Sequence, residues 1–147
     1  MRNLLPALLG AFFLAACGGG GTATNPASPS PTISFTMGAQ NGSGVVGTGQ
    51  IVKGTGSFVV TIKLTGLTPN SSHVSHVHTG SCAKSGGIAY TLQEVIADSS
   101  GAATVTSTVM VPYSVPTGGW YVNVHHGPDL STPANVPSIS CGDLPTA

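Results

Sequence analysis

Ser57-Phe58-Val59-Val60-Thr61-Ile62-Lys63-Leu64-Thr65 (SFVVTIKLT) puts Phe58, Val60, Ile62 and Leu64 at even positions and Ser57, Thr61, Lys63 and Thr65 at odd ones. A period of two is that of a strand with one face buried and one face wet. Gly54 and Gly56 break the chain before it, and the Gly66–Ser72 loop breaks it after. Outward from this stretch the pattern repeats, and no segment has a helical period. Strands are expected at Ile33–Met37, Val45–Val52, Ser57–Thr65, Val74–His78, Ile88–Ile96, Ala103–Val111, Trp120–His125 and Val136–Cys141. Asn41-Gly42 is a strong hairpin signal between the first two. Asp98-Ser99-Ser100-Gly101 and Pro116-Thr117-Gly118-Gly119 supply further turns. Every connection is short except Gly127–Pro137, which is expected to be an ordered loop. The fold class that follows is all-β: a Greek-key β-sandwich or flattened barrel of seven or eight antiparallel strands.

The N-terminal segment reads differently. Arg2 precedes an apolar run, Leu4–Ala16, that is too short to span a bilayer as a mature helix. The run ends in Leu14-Ala15-Ala16-Cys17, which resembles a bacterial lipobox. The resemblance implies a lipoprotein signal peptide over residues 1–16, cleavage before Cys17, and lipid on that residue. A plain secretory signal with a chance cysteine is the alternative. Several acyl chains anchor stably, since each buried methylene contributes roughly 0.8 kcal/mol. The expected location is the bacterial cell envelope: outer membrane, periplasmic side or cell surface. Gly18 after Cys17 favours the outer membrane in a Gram-negative cell by analogy. Residues 17–31 carry the lipidated cysteine and a Gly/Ser/Pro-rich stretch without charge, a tether that cannot bury enough surface to fold. The folded domain is expected over residues 32–147.

Charge excludes several partners. After cleavage the basic residues are Lys53, Lys63 and Lys84, against Glu94, Asp98, Asp129 and Asp143. With no basic stripe to meet phosphates, nucleic acid is excluded. The membrane, through the lipid, is the expected partner, and an envelope protein is a second. The thiols beyond Cys17 are Cys82 and Cys141. In an oxidising compartment one disulfide is the default, with two free thiols as the alternative. It would close a loop of roughly 60 residues, worth about 4 kcal/mol in the chain-entropy account.

Three of the five histidines lie in Ser72–Cys82 (SHVSHVHTGSC). His76 and His78, two apart on a strand, leave the same face with Cα atoms roughly 7 Å apart, while Val77 points inward. On Trp120–His125 (WYVNVH), Trp120, Val122 and Val124 form the apolar face, and Tyr121, Asn123 and His125 the opposite one. Both strands therefore aim valines inward and histidines outward. Three neutral imidazoles suit Cu(II), Cu(I) or Zn(II), and copper is the first candidate outside the cytoplasm. His73, His126 and Asp129 are possible supplements within sequence reach. The plain structural alternative is that these histidines are outward polar residues bonded to loop backbone.

Taken in order, these stretches resemble a known family. Leu67-Thr68-Pro69 leading to His73–His78 and Gly80-Ser81-Cys82 resembles the copper-ligand strand of Cu,Zn superoxide dismutases. Ala97–Ala103 resembles their turn after the metal loop, Val122–His125 a second copper strand, and Ser140-Cys141-Gly142-Asp143-Leu144 their closing Cys-Gly segment. The same landmarks, with Gly119–His125, resemble the chordin-type (CHRD) domains of bacterial envelope proteins. The resemblance spans about Leu64 to Leu144. It implies the superoxide-dismutase-like fold and pairs Cys82 with Cys141. It also matches His76, His78 and His125 to copper ligands and His73 to a structural histidine nearby.

The departures bear on activity. Ala83–Gln93 holds no His, Asp, Glu or Cys, so the bridging imidazole and the zinc site cannot exist in familiar form. Ser138 stands where the enzymes carry an anion-guiding arginine. Three function classes follow: an envelope lipoprotein with a degenerate domain holding copper, a CHRD-like structural or interaction domain without metal, and a copper-only superoxide dismutase. The dismutase is the weakest of the three, since the mature chain lacks a fourth copper histidine and any arginine. Tyr90, Tyr113, Trp120 and Tyr121 are read as packing, with a contact surface as the alternative.

Overall fold

The structure is a computed structural model describing residues 30–146. The segments expected to be a signal peptide and a tether, with Cys17, fall on residues 1–31 and lie outside the described residues up to residue 29. The chain forms β1 (Thr32–Ala39), β2 (Val46–Lys53), β3 (Phe58–Thr65), β4 (Ser72–His73), β5 (Ser75–Gly80), β6 (Ser85–Thr91), β7 (Val95–Ile96), β8 (Ala103–Val109), β9 (Trp120–His125) and β10 (Ser138–Asp143). Among the described residues there is no helix. Eight strands form one antiparallel sheet in the order β6-β5-β9-β10-β1-β2-β3-β8, and β4 pairs with β7 apart from it.

The alternation of β3 is realised: Phe58, Val60, Ile62 and Leu64 are all buried. The turn expected at Asn41-Gly42 forms with φ of 52° and 72°, the left-handed region that this pair tolerates.

The sheet curls on itself, and the aromatic core shows how far. β9 and β3 lie four strand steps apart, which would separate them by about 19 Å in a flat sheet. Yet the rings of Phe58 on β3 and Trp120 on β9 are 6.1 Å apart. Tyr90 on edge strand β6 meets the same Phe58 at 6.2 Å, and Tyr113 meets it at 5.3 Å. These aromatics join the inward valines Val77, Val122 and Val124, all fully buried, in one core.

The run Ile88–Ile96, expected as one strand, is two. β6 ends at Thr91, and the chain then leaves the sheet. Leu92 N–H donates to Ser75 O, Gln93 N–H donates to Ser107 Oγ on β8, and Ser75 Oγ donates to Gln93 O. Those bonds carry the segment from β5 towards β8, across the gap between the sheet's two edges. β7 then pairs with β4, which places His73 opposite Val95. The last strand begins at Ser138 rather than Val136, with a bulge between Ser138 and Ser140.

The expected disulfide joins Cys82, in the turn after β5, to Cys141 on β10, with Cα atoms 5.9 Å apart and a sequence separation of 59. Asp143 reinforces the tie by accepting the Cys82 N–H at 2.7 Å. The Gly127–Pro137 connection is ordered around Asp129, whose Oδ1 accepts Ser131 N–H, Ser131 Oγ–H and Asn135 Nδ2–H. Those bonds, the Ser131 hydroxyl first, hold the Asp129 carboxyl below its usual range.

Because the bridge constrains a long loop, replacing both cysteines by serine should lower stability by about 2–5 kcal/mol. The urea midpoint of the oxidised domain against the double variant measures this. Equal midpoints would mean that the bridge contributes nothing to the fold.

Candidate metal centre

The site is the outward face of β5 and β9. The register sets His76 opposite Asn123 and His78 opposite Tyr121, while Asn123 faces Cys141 on the other side. His125 follows at the end of β9. These side chains are outward with respect to the core but not exposed: His76, His78 and His125 are each under a tenth accessible. Neighbouring β6 and the Gly127–Pro137 connection contribute the backbone that fixes two of the rings.

His78 Nδ1–H donates to Gly86 O at 3.1 Å. β6 reaches that position because it runs close against β5 through two register irregularities. Gly86 allows the approach, since an added Cβ would collide with the backbone oxygen of Thr79. The other face of the His78 ring stacks on Tyr121, with centroids 5.1 Å apart. His125 Nδ1–H donates to Val136 O at 2.6 Å. A backbone carbonyl only accepts, so both neutral histidines carry their proton on Nδ1 and leave Nε2 as an acceptor, that of His125 lying 3.1 Å from Asn123 Nδ2. Those two Nε2 atoms are 3.4 Å apart.

His76 completes the group, with its ring 5.3 Å from His125 and 5.7 Å from His78. Its Nδ1 is the one buried side-chain nitrogen or oxygen among the described residues with no hydrogen-bond partner. One nitrogen from each of the three rings lies within 4.8 Å of the others. Burial pushes His76 down to about 4, helped by the proximity of His125 and then His78. Burial also lowers His78, against the Gly86 carbonyl that favours its charged form.

A cleft of about 340 Å³ opens beside the triad. His78, His125, Tyr121, Asn123, Ser138 and the disulfide help to line it, and none of its lining residues is Lys, Arg, Asp or Glu. Burial raises the Tyr121 phenol above its ordinary range, with Asp143 adding to it and a Ser85 hydrogen bond opposing.

The supplements read from sequence lie elsewhere. His73 is buried, and its Nδ1–H is shared between the carbonyls of His125, at 3.0 Å, and His126, at 2.7 Å, while Nε2 meets Ser71 Oγ at 2.7 Å. It braces the end of β9 and has no nitrogen left for the triad. His126 is exposed and lines a separate hollow with His73. Asp129 is committed to its own loop. Of the aromatics, Tyr90, Tyr113 and Trp120 pack in the core, while Tyr121 faces the site. Sequence reasoning placed Asn123 on the outward face without giving it a role. Counting back by two from His125 was the signal that could have singled it out. The carbonyls of Gly86 and Val136 had no such signal.

In its overall fold the chain is similar to the crystal structure of a SOD-like protein from Bacillus subtilis. That structure aligns with a TM-score of 0.60 at 16% identity, over 76% of this chain and 97% of the other. The likeness establishes the superoxide-dismutase-like fold. Residues 25–127 match the CHRD domain family, and the chain belongs to it. The match takes in the histidine triad and Cys82 but ends before β10 and Cys141. No curated protein matches the chain significantly.

The histidine environment predicts a pH dependence for the metal-free domain. His76 stays neutral in the fold down to about 4, whereas the unfolded chain protonates near 6.5. Between these values the unfolded state binds more protons, so stability is full above about 6.5 and falls as pH drops towards about 4. His76→Gln should make urea midpoints measured across that window less steeply pH-dependent. His78 supplies the slope that remains. A wild-type slope retained in full would contradict the assignment.

Proposed function

We propose that this chain is a lipid-anchored envelope protein whose CHRD domain holds a copper ion through His76, His78 and His125. One observation carries the reading: two Nε2 lone pairs face each other at 3.4 Å with both protons committed to the opposite nitrogens. Two acceptors in that position repel; Asn123 Nδ2 beside His125 Nε2 relieves one of them, and a cation between the rings would satisfy both. A proton on His78 is disfavoured, because burial and then the nearby His125 oppose its charged form. A metal ion brings charge and empty orbitals together, and His76 Nδ1 is free to be the third donor. Hydrogen bonds from the far ring nitrogens to carbonyls are the usual way ligating histidines are oriented.

Three imidazoles suit copper, and first-row affinity for nitrogen sites peaks at Cu(II). Copper, when bound by these three histidines, would supply a redox-active cation beside the cleft. The protein's residues do little to turn that into dismutase chemistry. No cationic side chain lines the cleft to attract an anion. β6 replaces the ligand-bearing loop with a strand containing Tyr90 and no metal-binding side chain. The reading is therefore a holding module, with no enzymatic activity assigned. The anchor is the lipid expected on Cys17, and the setting is the bacterial envelope.

Titration of the soluble domain with Cu(II), followed by EPR, tests the site. One equivalent should give a multi-nitrogen signal that His76→Ala and His78→Ala each abolish. Affinity no tighter than that of an unstructured peptide would overturn the reading. Superoxide consumption by the loaded domain should not exceed that of free copper ions.

The anchor has its own test in a bacterial host fed a labelled fatty acid. The full chain should carry the label and pellet with membranes, and Cys17→Ser should lose both properties. An unlabelled, soluble wild-type protein would contradict the lipoprotein assignment.

A further inference from the structure

Asn123 sits among the triad, beside the Nε2 of His125. It stands between His76 on β5 and Cys141 on β10, and it is 5% exposed. Its Nδ2 lies 3.1 Å from His125 Nε2, and its Oδ1 accepts the Ser138 hydroxyl. The neighbours fix the orientation of the amide. His125 Nδ1 faces a carbonyl and must carry the proton, so Nε2 can only accept. The amide atom beside it is therefore the NH₂, and the oxygen is left to Ser138.

The lone pair that Asn123 caps is one of the three a metal would need. A metal can take His125 Nε2 only if the amide lets go. We propose that Asn123 is a positioning residue that competes with the metal for His125 Nε2 and so sets the affinity of the site, with Ser138 holding the amide in its capping orientation. This rests on the metal reading above. The cleft gives the displaced amide somewhere to go, since Asn123 and Ser138 both line it. Asn123 also explains how the metal-free protein tolerates facing lone pairs: one of the two is already bonded to an N–H.

The test combines binding with a direct view of the hydrogen bond. Dissociation constants for Cu(II) and Zn(II) are measured by competition with a chromophoric chelator, on wild type, Asn123→Leu and Ser138→Ala. Leu keeps the approximate shape and cannot donate. Asn123→Leu should bind metal roughly two- to tenfold tighter, the worth of one net hydrogen bond. Ser138→Ala should shift affinity the same way by less. In the metal-free wild type, nitrogen–nitrogen coupling should be seen between Asn123 Nδ2 and His125 Nε2, and it should vanish on metal addition.

Absence of that coupling would overturn the proposal, as would unchanged or weaker binding in a folded Asn123→Leu. If Asn123→Leu does not fold, the Ser138→Ala affinity and the coupling decide in its place. Failure of wild type and both variants to bind either metal would defeat the metal reading and this proposal together. Binding that is equal in all three defeats the proposal alone.

Discussion

The pairing of β5 with β9 is the constraint from which both core and site follow. Its register sets Val77 beside Val122 on one face and His78 beside Tyr121 on the other. Because side chains alternate strictly, the same ladder buries the valines and gathers the histidines. A one-residue slip would move the imidazoles into the hydrophobic core and the valines out of it. Burial of Val77, Val122 and Val124 therefore holds the histidine cluster in register. The disulfide fixes the neighbouring ladder from outside, since Cys141 pairs with Asn123 on β9 and bonds the turn after β5.

Backbone carbonyls do the finer work at the site. Gly86 O and Val136 O each accept the Nδ1–H of one imidazole and leave its Nε2 as an acceptor. Gly86 belongs to β6, and Val136 closes the loop organised by Asp129. The tautomers of His78 and His125 thus depend on two segments that have no metal-binding chemistry of their own. His73 adds a third brace by holding the carbonyls at the end of β9.

Much of this was legible in the sequence because it follows from a period of two. The alternation in SFVVTIKLT, HVH and WYVNVH predicts which side chains share a face, and Asn41-Gly42 predicts its turn. What was hidden had no periodic signature. The two-residue strands β4 and β7 are too short to show one. The break after Thr91 depends on hydrogen bonds to Ser75 and Ser107, which lie far away in sequence. Burial of the outward face was hidden as well, because it comes from β6 and a loop packing over it. The supplementary ligands failed for a related reason: proximity in sequence gave His73, His126 and Asp129 equal claims, whereas their partners in space differ.

The most direct test of facing lone pairs is long-range ¹H–¹⁵N correlation of the imidazoles in the metal-free domain near neutral pH, repeated with one equivalent of diamagnetic Zn(II). His78 and His125 should both appear as Nδ1–H tautomers with unprotonated Nε2. Zinc should shift those two nitrogens and one nitrogen of His76, leaving the His73 and His126 rings unmoved. An Nε2–H tautomer at His78 or His125, or zinc shifts centred on His73 or His126, would contradict the account.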